Sequence, residues 1–126
     1  TGRITLADYN KFAQEINATG NTYDIEIEVK VLDENPGKKT AQTAYEKIGE
    51  NVYYTEYTTQ IMEDLNDASN NNTKYLKEGD IVSVSVKNTN TTISQLLRNF
   101  FYRVTGNDSS TIGASNGGIV TVNGRN

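Results

Sequence analysis

Cysteine and histidine are both missing from this 126-residue chain, and each absence removes a block of chemistry. Without cysteine there are no disulfides, no thiolate metal sites and no thiol nucleophile. Without histidine, the commonest general base and transition-metal ligand is gone, which excludes Ser-His-Asp catalysis and most zinc, copper or non-haem iron chemistry. No run of about 18 apolar residues exists, so no segment reads as a membrane-spanning helix. A basic excess is missing too. The 16 acidic and 12 basic residues leave a net charge of −4, the opposite of a phosphate-binding footprint, and nucleic acid is not expected as a partner.

Apolar residues are also few. Ala, Val, Ile, Leu, Met, Phe and Gly total 46 of the 126 residues, against ~45–50% in an average domain. Eight tyrosines are expected to supply part of the missing apolar area while keeping their hydroxyls wet. What the chain has in abundance is asparagine and threonine, 32 residues together, which favour turns, caps and strand faces over helix interiors. The length fits a single domain over residues 1–126.

The first helix is marked at both ends. Thr5 caps it, Asp8 suits the positive end of its dipole, and Gly20 stops it. Between them Leu6, Tyr9, Phe12, Ala13 and Ile16 fall on one face. Residues Tyr23 to Val31 then alternate strictly, with Tyr23, Ile25, Ile27, Val29 and Val31 on one face and Asp24, Glu26, Glu28 and Lys30 on the other. A strand with one wet face belongs to an antiparallel sheet. Asp33 to Gly37, with the lone Pro36, is a turn. Residues 38–51 admit either a short strand at Ala41 to Ile48 or an ordered loop.

Tyr54, Tyr57, Ile61, Met62 and Leu65 sit at helical spacing and predict a helix from about Val52 to Asn66, although the β-branched and aromatic run Val52 to Thr59 favours a strand. Asp67 to Thr73 is a polar loop. Lys77-Glu78-Gly79-Asp80 is a turn leading to a second alternating strand, Ile81 to Lys87. Thr92-Ile93-Ser94-Gln95 has the form of a capping box, opening a helix with Ile93, Leu96, Leu97, Phe100, Phe101 and Val104 on its apolar stripe and Gly106 as its stop. Thr111 to Val122 reads as two short strands joined at Asn116-Gly117-Gly118. The pattern predicts an α+β fold: a three- to five-stranded, mainly antiparallel sheet with about three helices packed on one face.

Candidate sites are few. Glu26 and Glu28 lie on one strand face with Cα atoms about 7 Å apart, near the range for paired catalytic carboxylates; with Lys30 beside them they equally read as a solvated face. Asp64 to Asn72 superficially has a calcium-loop composition, yet the sixth position is Ser69 and the twelfth is Tyr75 where an EF-hand needs Gly and Glu. Gly113 to Gly118 precedes no helix and holds no GK[ST], so it is a hairpin turn and not a phosphate cradle. The cluster Tyr53-Tyr54-x-x-Tyr57 carries either core area or a contact surface, and on helical spacing Tyr53 is the ring expected to be exposed. No catalytic, cofactor-binding or metal-ligating set emerges, and no cofactor is expected.

A helix ending in Ala18-Thr19-Gly20 with Tyr23-Asp24-Ile25-Glu26-Ile27 close behind, together with Lys77-Glu78-Gly79-Asp80, Val86 to Asn90 and Leu96 to Tyr102, resembles membrane-anchored pilin-like or pseudopilin-like proteins of Gram-positive (Firmicutes) gut bacteria. The resemblance implies a hydrophobic anchor helix upstream of Thr1 and a domain displayed at the cell surface. It implies protein subunits of an envelope assembly as partners, and it brings no catalytic residue with it. The expected role is therefore a non-catalytic extracytoplasmic domain acting by protein–protein contacts, with Tyr53, Tyr57, Glu26 and Glu28 as the candidate contact surface. The alternative is a small ligand- or carbohydrate-binding module using exposed tyrosines.

Overall fold

The computed structural model describes residues 2–18, 24–33, 45–87, 91–106, 111–115 and 119–126. Twelve residues, Leu6–Asn17, form helix α1, and the Thr5 hydroxyl accepts a hydrogen bond from the Asp8 amide at 3.1 Å as its cap. The strands β2 (Ile25–Leu32), β6 (Ile81–Lys87) and β8 (Ile119–Arg125) form the middle of a six-stranded sheet. β3 (Tyr45–Ile48), β4 (Asn51–Glu56) and β7 (Thr111–Ser115) complete it in the order β3-β4-β2-β6-β8-β7, and every pairing is antiparallel. Helices α2 (Thr58–Leu65) and α3 (Thr91–Thr105) join α1 on one face. The α+β architecture is the expected one, and the sheet is one strand wider than the upper bound of five.

The extra strand is β4. Val52 to Glu56, read as the start of a long helix, is extended instead, and α2 begins only at Thr58. Val52, Thr55 and the two tyrosines Tyr53 and Tyr54 lose less side-chain freedom on a pleated surface than on a helix. The switch from strand to helix is mediated by Thr58. Its hydroxyl accepts from the Ile27 amide at 3.0 Å and donates to the Ile27 carbonyl at 3.3 Å, doing for β2 what a further β4 residue would have done. Gln60 turns back to accept the Tyr57 amide at 2.7 Å. Within the ambiguous stretch, the short strand is the correct alternative for Tyr45–Ile48, and residues 38–44 lie outside the described set. The two-residue turn Gly49-Glu50 closes β3 onto β4 with Gly49 at φ 62°, a hairpin geometry that glycine adopts without strain.

The core follows from alternation. Ile27, Val29 and Val31 of β2, Val82, Val84 and Val86 of β6, and Val120 and Val122 of β8 are buried against Phe12, Ile16, Ile61, Leu65, Ile93, Leu97, Phe100, Phe101 and Val104 of the helices. Phe12 and Phe100 stack at 4.6 Å between centroids, joining α1 to α3. Arg103 reaches Asp8 and Glu15, both at 3.9 Å, across the same pair of helices.

Two elements escape the sequence pattern. A three-residue strand β1 (Arg3–Thr5) pairs with β5 (Thr73–Tyr75) as a separate ribbon. The polar loop is built rather than loose: Asn71 and Asn72 take left-handed backbone, the Asn72 amide side chain donates to the Leu65 carbonyl at 3.0 Å, and the Leu6 amide donates to the Asn72 carbonyl at 3.0 Å. One asparagine thus satisfies the end of α2 and the beginning of α1. Asp80 is 1% exposed, and its carboxylate accepts the Leu32 amide at 2.9 Å and the Lys77 amide at 2.8 Å. The chain ends meet beside this turn. The Leu76 amide donates to the Gly2 carbonyl at 2.8 Å, the Asn126 amide to the Asp80 carbonyl at 2.8 Å, and a Cβ on Gly2 would lie 3.7 Å from the Asn126 side-chain nitrogen.

Candidate functional site

The sheet face away from the helices carries the alternate residues of the same strands, and the registers arrange them in rows. Asp24 stands beside Lys87, whose amide donates to the Asp24 carbonyl at 3.2 Å, and Lys87 pairs with Ile119. The next row is Glu26, Ser85, Thr121 and Gly113. The one after is Glu28, Ser83, Asn123 and Thr111. Beyond these, Lys30 bonds Glu46 at 2.6 Å, and Leu32 pairs with Tyr53.

Of the four expected contact residues, the structure brings Glu26 and Glu28 together on this face, Glu26 exposed and Glu28 half-buried. Tyr53 shares the face, but the expectation that it is the exposed ring is overturned: it is 1% exposed. Helical spacing set Tyr53 outward; in a strand it faces opposite to Tyr54, which packs against the main core. Its hydroxyl is buried and finds no hydrogen-bond partner among the described residues. Tyr57 is separate from the other three, 57% exposed at the start of α2.

Asp24, Glu26, Ser85, Lys87 and Ile119 line a shallow hollow of about 250 Å³ on the open face. Among the described residues no ion pair joins Lys87 to Asp24 or Glu26, while the Ser85 and Thr121 hydroxyls bond each other at 2.9 Å. Nothing in the sequence singles out Ser85, Ile119 or Thr121. Alternation put them on the wet side, but only the register shows that they meet Glu26. Among the described residues no group of three or more His, Cys, Asp or Glu is placed to hold a metal ion, and no helix is long and apolar enough to cross a membrane.

The two margins of the sheet differ in chemistry. β3 carries Glu46 and Lys47, both exposed and of opposite sign. β7 is Thr-Ile-Gly-Ala-Ser, with no charge and no proline, and a Cβ on Gly113 would meet nothing within 4 Å. Unpaired edges are normally blunted by charge, proline or a bulge. By that measure β3 is guarded and β7 is bare.

Among the described residues, two side chains away from this face are shifted from their ordinary titration. Burial, followed by the charges of Glu56 and Asp80, pushes the Tyr54 phenol above its usual value. The Ser69 hydroxyl and amide hold the Asp67 carboxyl below the usual aspartate value. Both belong to fold-shaping segments. No family model, curated protein or solved structure matches this chain.

Proposed function

We propose that this domain works by protein–protein contact, as a displayed and non-catalytic part of an envelope assembly, and that β7 is the edge through which it engages. One observation carries the reading. A six-stranded sheet closed on one face by three helices ends in an uncharged, proline-free strand, while its other margin bears Glu46 and Lys47. Edges of the bare kind add strands from other chains, with main-chain hydrogen bonds as the source of affinity. The extracytoplasmic address and the pilin-like setting are supported by the resemblance described above. An apolar stretch of ~20 residues encoded close upstream of Thr1 would support that address, and a folded catalytic domain there would sink it.

The contact itself is tested in the full-length protein in its own cells. A photo-crosslinking benzoylphenylalanine replaces Gly113 on β7 in one strain and Lys47 on β3 in another. Protein adducts are expected from position 113 and not from position 47. No adduct from 113, or equal yields from both, defeats the reading.

A second reading, binding of a small polar ligand, is favoured by the hollow alone, where Asp24 and Glu26 face Lys87 beside the apolar Ile119. With Tyr53 buried, Tyr57 alone of the two expected contact tyrosines is exposed, and it lies elsewhere. Titration of amino acids and simple sugars, followed by amide shifts of Ser85 and Lys87, decides it: silence at both residues sinks ligand binding.

A further inference from the structure

We propose that the partner at β7 is a second copy of this chain, joined antiparallel about Gly113 so that two six-stranded sheets become one continuous sheet around a two-fold axis. The inference rests on the contact reading above and goes beyond it in naming partner and register. Among the described residues the only ladder made by β7 is with β8, so its outer row of backbone donors and acceptors has no strand partner.

What selects a second copy is the order of residues in the strand itself. Antiparallel pairing of Thr111–Ser115 with its own image about the middle residue sets Thr111 opposite Ser115, Ile112 opposite Ala114, and Gly113 opposite Gly113. The order of residue types is thus close to self-complementary in this register, with the two glycines at the axis. Like-with-like pairs of this kind stabilise cross-strand contacts, and no like charges oppose each other. The existing registers extend the match. Ile112 and Ala114 continue the rows of Val122 and Val120, the buried rows, while Thr111, Gly113 and Ser115 continue those of Asn123, Thr121 and Ile119. The strand positions in register with the buried rows of β8 therefore meet each other across the axis, as do the positions in register with its open-face rows. A two-fold contact of this type is self-complementary and closes as a dimer.

The net charge of −4 does not oppose it at this place. Glu26 is three strands from β7. Seven strand spacings of ~4.8 Å would separate it from its image, roughly 34 Å. That is several times the ~8 Å screening length of physiological salt.

The decisive experiment uses charge at position 113, where a new side chain has open space and an ordinary strand backbone. Sedimentation equilibrium over a concentration series reaching the millimolar range should show the wild type passing from 13.9 kDa to twice that mass. Gly113→Lys and Gly113→Glu should each stay monomeric, because the new charge faces its own image. Mixing the two variants should restore the dimer, since Lys then faces Glu. A wild type that remains monomeric overturns self-pairing, as does a Gly113→Lys protein that dimerises like wild type. A mixture that stays monomeric while wild type dimerises overturns the register. If a variant unfolds, amide exchange on wild type decides: protection of residues 111–115 must rise with concentration, and exchange independent of concentration counts against the dimer. Failure here with adducts to a different protein from position 113 leaves the contact reading standing; no adducts at all removes both.

Discussion

The two faces of the central sheet are made by neighbouring residues of the same strands, yet they obey different rules. On β6, Val82, Val84 and Val86 have no solvent exposure, while Ile81, Ser83 and Ser85 between them are half-buried and Lys87 is exposed. The helix-covered face is a packed interior, in which a lost methyl group leaves a void. The open face is hydrated along β2, β6 and β8, where small changes meet water, although Tyr53 at its β4 end is buried. Stability is therefore concentrated on the helix-covered side.

The sharpest test of that division is Phe100→Ala, which removes the ring stacked on Phe12 at the centre of the helical layer. It should cost about 3–5 kcal/mol in chemical denaturation. If the loss stays under ~1 kcal/mol, the helical layer is not the seat of stability. Val84→Ser should follow at about 2–3 kcal/mol, because it loses apolar burial and adds a hydroxyl in a buried row. A cost near zero would place Val84 in contact with water.

Tyr54 gives a smaller, pH-dependent effect. Its folded-state pKa lies above its ordinary value of 10.0, so the stability it contributes is complete below the unfolded pKa and is lost as pH rises through the folded one. Thermal midpoints should therefore fall on the alkaline side of pH ~10, and Tyr54→Phe should make that fall shallower. An identical alkaline slope in the variant contradicts the burial of this phenol. The smallest effect belongs to Ser85→Val, one residue from Val84 and facing the other way. It gives up the bond to Thr121 and gains strand propensity, for a net change within about 0.5 kcal/mol. Equal costs for Val84→Ser and Ser85→Val would erase the difference between the faces.

Much of this division was legible in the sequence. Strict alternation announces β2 and β6, and the face that carries Glu26 and Glu28 follows from it. β4 was misread because its core-facing Tyr54, followed by Tyr57 and by Ile61 and Leu65 of α2, matches a helical spacing across a junction between two elements. The correct signal, the β-branched and aromatic run, lay in the same residues. Tyr53 was misplaced for the same reason. β1 is three residues long, too short for any period to show. The bareness of Thr111 to Ser115 is visible in the sequence, but it acquires meaning only once the strand order puts that segment last. The meeting of Glu26 with Ser85 and Thr121 depends on register, which is set by pairing across strands distant in the chain.

The meeting of Gly2 and Asn126 beside the Lys77–Asp80 turn has a consequence for how this domain is mounted. Whatever enters before Gly2 and whatever leaves after Asn126 share one pole of the molecule. A host chain can therefore admit the domain as a side branch without stretching its own backbone, much as it admits a long loop. By the same geometry, linking residue 126 to residue 2 and opening the chain at the exposed Gly49-Glu50 turn should give a permuted protein with the same sheet. In that rearranged molecule the ends would emerge at the β3 margin, and the pole that now holds them would become a seamless surface.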